Sequence, residues 1–125
     1  MHNRWVLLSL GGVAGTLARY SLGAWIPQIA GSGFPYGTLA INLSACLLLG
    51  LLDSLAVVRG ALGPEARLLM MTGFCGAYST FSTWILETSN LIGDGQFFRA
   101  GANLFGSMLA GLLLFRLGAW LGAAI

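Results

Sequence analysis

Thr72-Gly73-Phe74-Cys75-Gly76-Ala77-Tyr78-Ser79-Thr80-Phe81-Ser82-Thr83 lies inside an apolar segment, yet half its residues carry a hydroxyl. Ala66-Arg67-Leu68-Leu69-Met70-Met71 precedes it and Trp84-Ile85-Leu86 follows, so the whole reads as one membrane-spanning unit with a polar, glycine-bearing middle. Clustered hydroxyls at bilayer depth survive only when buried in protein or lining a wet cavity, because each unmet polar group costs several kcal/mol in hydrocarbon. Gly73 and Gly76 are natural places for a helix to open and free its carbonyls. The plainer alternative is an unbroken helix whose Ser and Thr side chains bond back to their own carbonyls.

Composition fixes the class. Of 125 residues 57% are hydrophobic and 8% charged, a balance that excludes an ordinary soluble domain and points to an all-α integral membrane protein. Six arginines, no lysine and four acids leave a net charge of +2, with no basic stripe for nucleic acid. Cys46 and Cys75 are too few and too far apart for a metal cluster or a disulfide framework, and His2 stands without a ligand partner. Pro27, Pro35 and Pro64 fall between apolar runs and mark connections.

Four spans follow, at about residues 5–26, 37–58, 66–92 and 97–124, each long enough at about 1.5 Å per residue to cross a core of about 30 Å. The chain is one transmembrane domain. In the first span Gly11, Gly12, Gly15 and Ala18 make a face of small residues where another backbone can approach. In the second, Thr38, Asn42, Cys46 and Gly50 recur every four residues and share a face. Asn42 there is either interhelical glue or a donor facing a pathway. In the fourth, Asn103, Ser107 and Gly111 form a polar stripe beside a small stripe of Ala102, Gly106 and Ala110, so one face can pack while its neighbour stays wet.

Charges within the spans need partners or a route to water. By depth, Asp53 with Arg116 and Arg19 with Glu87 are placed to pair, Arg19 serving as an anchor or as an attractor of anions. The arginine bias between the two sides is small, a weak vote for orientation that allows insertion either way. Four short helices can hardly seal a polar middle from lipid, which calls for a partner, and a homodimer is the smallest solution. If two copies insert oppositely, whatever lies on their axis is at mid-depth, where Gly76 to Ser79 sits.

Gly11-Gly12-x-x-Gly15 with Arg19-Tyr20, Gly37-Thr38-Leu39-x-x-Asn42, Gly73-Phe74-Cys75-Gly76-x-x-Ser79-Thr80-Phe81-Ser82-Thr83 and Asn103-x-x-x-Ser107-x-x-x-Gly111 together resemble the CrcB/Fluc fluoride channel family over essentially the whole chain. That resemblance implies an antiparallel, dual-topology homodimer in the cell (inner) membrane, with the third helix broken mid-membrane and two pores exporting fluoride passively. It implies a structural sodium ion on the dimer axis, held by the backbone carbonyls of Gly76 and Ser79, where the family usually has threonine at the latter position. It also makes Asn42, Phe81, Thr80, Ser82 and Ser107 pore residues. Trp84 departs from the pattern, standing where the family has its second pore phenylalanine. Glu87 matches a position that tends to be acidic near a pore mouth, an odd charge for an anion path.

The chemistry is intelligible from the residues. Fluoride is small and strongly hydrated, so a pore must replace water with donors such as the Asn42 amide and a row of hydroxyls. Aromatic edges carry positive charge, so ring hydrogens of Phe81, and an edge or the indole N–H of Trp84, can face an anion. From the residues alone, both rings read equally as packing. A small dual-topology multidrug exporter is the rival transport function, but it wants a carboxylate in the first span, which has none. An intramembrane hydrolase using Ser79 or Ser82 lacks a nearby base, so the chain reads as no enzyme.

Overall fold

The computed structural model describes residues 2–125; Met1 and the side chain of His2, read above as a tail without a role, lie outside the described residues. Among the described residues the chain is helix and connections, without strands. Helix α1 is His2–Ala30 and α2 is Tyr36–Val57. Helix α3 covers 64–78, opening at Pro64–Arg67, widening into a π-helical stretch Leu68–Cys75 and closing on Gly76–Tyr78. Helix α4 is Phe81–Gly93, and α5 is Phe97–Ala124 with a second π-helical stretch at Ala102–Gly106.

The connections carry the expected turn chemistry, with one correction. Pro27 falls inside the last turn of α1 rather than in the loop, and Gly31 N–H closes on Pro27 O at 2.9 Å before Gly31 turns left-handed at φ +89°. A proline near a helix end removes only one internal donor, and glycine takes the positive φ that stops the helix. Pro64 occupies the first turn of α3, where a missing N–H is harmless. Arg67 then ties the turn down, giving Nη2 to Ala56 O at 2.7 Å and Nε to Leu62 O at 3.2 Å.

Two glycine-bearing crossings set the packing. α1 lies on the π-helical part of α3, where Gly11 abuts Leu69 O and Phe74 N, and Gly15 abuts Phe74 O. α2 lies along α5, where Gly50 abuts Phe115 O and Gly118 abuts Leu47 O. A side chain at any of these four points would meet backbone, which cannot move aside. Gly12, grouped with Gly11 and Gly15 by sequence, has open space instead.

The stripes of α5 sort differently from expectation. Asn103 and Gly111 turn inward and are buried, whereas Ala102 and Gly106 are exposed. Polar atoms gain partners inside the chain, while small residues lose nothing by facing out. α2 and α5 are each long and apolar enough to cross a membrane, and only 11% of the apolar window of α5 is buried within the chain. That outward apolar surface calls for lipid or another copy.

Candidate functional site

The third apolar unit is interrupted between α3 and α4. Ser79 (φ −77°, ψ 157°) and Thr80 (φ −146°, ψ 119°) are extended, so the local ladder of hydrogen bonds fails there. Three of the groups it frees are met by side chains from other helices. Asn42 of α2 takes both backbone groups of Thr80, donating Nδ2 to Thr80 O at 2.9 Å and accepting Thr80 N–H on Oδ1 at 2.8 Å. Arg19 of α1 gives Nε–H to Ala77 O at 3.1 Å. Ser79 satisfies itself by giving both N–H and Oγ–H to Cys75 O. Thr80 caps α4 by accepting Thr83 N–H, and donates its own hydroxyl to Thr83 Oγ1 at 3.1 Å.

Some groups stay open. Among the described residues Gly76 O and Ser79 O receive no hydrogen bond from outside α3, and no residue beyond the break closes on them. Asn42 has a second Nδ2 proton beyond the one given to Thr80. Ser82 is exposed in the first turn of α4, whose free N–H groups make that end weakly positive.

The break opens onto a cavity of about 640 Å³ lined by Arg19, Thr38, Thr80, Thr83, Glu87 and Asp94 among others. Arg19 and Glu87 share this vestibule but do not pair: Glu87 accepts Thr38 Oγ1–H on Oε1 at 2.6 Å, and its Oε2 is buried without a partner. Arg19 continues the Gly11–Gly15 face of α1, which lies against α3, so the first acceptor it meets is the freed carbonyl of Ala77. The pairing expected for Asp53 and Arg116 is also absent among the described residues. Arg116 stands two positions from Gly118, on the far side of α5 from its contact with α2, and is exposed.

Phe81 and Trp84 meet edge to face, with centroids 5.5 Å apart at 67°. Phe81 is otherwise 73% exposed. Trp84 gives its indole N–H to Asn103 O of α5 at 3.0 Å, so that donor is taken. Ser107 reaches Asn103 Oδ1 at 3.5 Å, a long contact. The structure thus joins Asn42 with Thr80, Phe81 with Trp84, and Ser107 with Asn103, and gives the Ser82 hydroxyl no hydrogen bond among the described residues. Two contributors escaped sequence reasoning. Thr38 is one turn before Asn42 on the same face, a signal present in the four-residue repeat; Thr88, one turn after Trp84, has no signal beyond that spacing.

Comparison with known proteins gives a consistent answer. Residues 6–119 match the family described as CrcB-like protein, Camphor Resistance (CrcB). The chain is 50% identical over 118 residues to "Fluoride-specific ion channel FluC 2" of Moorella thermoacetica, covering 94% of this chain and 92% of that relative. It is 46% identical to "Fluoride-specific ion channel FluC" of Trichormus variabilis, covering 94% and 86%, and 43% identical to the protein of that name from Thermus thermophilus, covering 98% and 95%.

Proposed function

Since the chain belongs to the CrcB family, we propose that it is a fluoride-specific ion channel of the cell membrane, carrying fluoride passively out of the cytoplasm. It is a membrane channel and not an enzyme. The observation that carries the reading is the extended pair Ser79–Thr80, whose Thr80 is clamped by Asn42 and lines the vestibule beside Arg19. A strongly hydrated anion needs fixed donors where water is stripped, and donors cost least when the fold has already oriented them.

Arg19 at the vestibule attracts the anion, and the free proton of Asn42 Nδ2, with Thr80 and Ser82 beside it, takes the place of leaving water. Phe81, exposed beside the break, presents ring hydrogens next, and their partial positive charge attracts most strongly the anion of highest charge density. Ser107 extends the polar track on α5, and Trp84 completes the aromatic pair. Two oppositely inserted copies would bring their breaks together at mid-membrane, which suits the exposure of Phe81 and Gly76 and the weak arginine bias.

The carbonyls of Gly76 and Ser79 fit a cation, because they are oxygen acceptors left without donors from neighbouring helices. They would hold sodium between the copies, and the ion would supply the positive charge that keeps two sets of like dipoles together. Serine in place of the family's threonine leaves that carbonyl in place.

Purified protein in liposomes loaded with fluoride tests the function, with release read by a fluoride electrode and charge cleared by a potassium ionophore. Wild type is expected to release fluoride without a proton gradient. Fluoride that stays trapped, or that leaves only with proton counterflow, overturns the reading.

A further inference from the structure

Trp84 departs from the family pattern, and the structure gives its indole an occupation. Trp84 Nε1–H donates to Asn103 O at 3.0 Å. Asn103, 1% exposed, donates Nδ2 to Thr88 Oγ1 at 2.8 Å, and Thr88 Oγ1–H returns to Trp84 O at 2.8 Å. The bonds close a ring. Both ends of Trp84 lead to one buried asparagine, so α4 cannot turn against α5 without parting the buried Asn103 amide from Thr88, nor the indole swing without giving up its N–H partner.

We propose that Trp84 is a positioning residue, held by this clasp of Asn103 and Thr88 so that its ring fixes Phe81 for the passing halide. The inference rests on the channel reading above. Phe81 stands three residues before Trp84 on α4, and the indole is the aromatic ring packed against it among the described residues. Elsewhere Phe81 is open, so the indole sets which way its edge points. The indole N–H faces Asn103 and is no halide ligand; Trp84 acts through Phe81. A phenylalanine at 84 would keep a ring contact but lose the tether.

Fluoride release and fluoride-over-chloride discrimination from liposomes test this with Thr88→Val, Thr88→Ser, Trp84→Phe and Phe81→Leu, each Thr88 and Trp84 variant also combined with Phe81→Leu. Thr88→Val and Trp84→Phe are each expected to slow fluoride release by about threefold to tenfold and to lower discrimination, the scale of one lost hydrogen bond. Thr88→Ser, which keeps the hydroxyl, restores both. In the Phe81→Leu background each adds less than about twofold, because the ring it positions is gone. Should Thr88→Val fail to fold, Trp84→Phe carries the same test, since Asn103 O keeps its own helical donor from Ser107 N–H. Equal losses in both backgrounds, or no loss in either, overturn the positioning role while wild-type conduction stands. A wild type that releases no fluoride overturns the channel reading with it.

Discussion

Gly11 of α1 and Gly73 of α3 meet backbone to backbone: a Cβ added to Gly73 would stand 3.1 Å from Gly11 Cα. This contact brings Arg19, two turns further along α1, to the open end of α3, and so makes the vestibule depend on a glycine that does not line it. A Cβ on Gly11 would press on Leu69 O and stand 2.9 Å from Phe74 N, and backbone cannot yield as a side-chain tip can.

Gly11→Ala is therefore expected to lose about 1 to 3 kcal/mol of stability, the range for overpacking a close contact. Gly12→Ala, facing open space, should be silent. Thermal unfolding of both variants in detergent, followed by helical circular dichroism, checks this. Equal midpoints would mean that the crossing is loose.

Asn42→Ala removes the donor and the acceptor that hold Thr80. Each orphaned backbone group costs about 1 to 3 kcal/mol where water cannot replace the partner. Fluoride release is expected to fall more than about tenfold, a rise of at least about 1.4 kcal/mol in the barrier. Asn42→Asp, which keeps the acceptor for Thr80 N–H and adds a negative charge, should be equally impaired. An Asn42→Asp protein that conducts like wild type would remove Asn42 from the pathway.

Much of this site was legible in the sequence because it was wrong for its surroundings. Hydroxyls within Thr72–Thr83 and an asparagine in an apolar span announce polar contacts in a place where lipid offers none. What could not be read was which partner each polar group takes. Asn42 was open between glue and donor, and the structure gives it Thr80. Arg19 and Glu87 share a depth, yet Arg19 finds a freed carbonyl and Glu87 a threonine, because rotation about each helix axis, which depth does not fix, decides what a side chain meets. The π-helical widening at Leu68–Cys75 left no mark in composition or spacing.

Arg19→Gln retains an N–H able to reach Ala77 O but removes the cation from a vestibule that also contains Glu87 and Asp94. The remaining carboxylates would lower the local concentration of any anion. Initial fluoride release is expected to slow by about threefold to tenfold in dilute inert salt, with the deficit shrinking as added salt screens the vestibule. A deficit independent of salt would place the role of Arg19 in structure alone.

Sodium removal has its own signature. If the carbonyls of Gly76 and Ser79 hold the ion, replacing sodium throughout purification by a bulky organic cation should weaken association of the copies and slow fluoride release, because bare carbonyl dipoles repel. Returning sodium should restore both. Cross-linking yield and electrode traces from one preparation check it, and full activity without sodium would exclude a structural ion there.

Gly76 gives the sharpest test of the antiparallel pair. Within the described residues nothing lies within 4 Å of a Cβ added at Gly76, although Gly73, one turn earlier, is enclosed by Gly11, Leu68 and Leu8. A first side-chain carbon at Gly76 meets open space, and helix propensity favours leucine over glycine, so Gly76→Leu is expected to leave the fold of the single chain intact. Two copies meeting at their breaks would have the new side chains collide on the axis, beside the carbonyls they share. Such a variant should insert and keep its helical content, run as a monomer on sizing in detergent, and release no fluoride. Dimeric, conducting Gly76→Leu protein would move the contact between copies elsewhere and take the proposed sodium site with it.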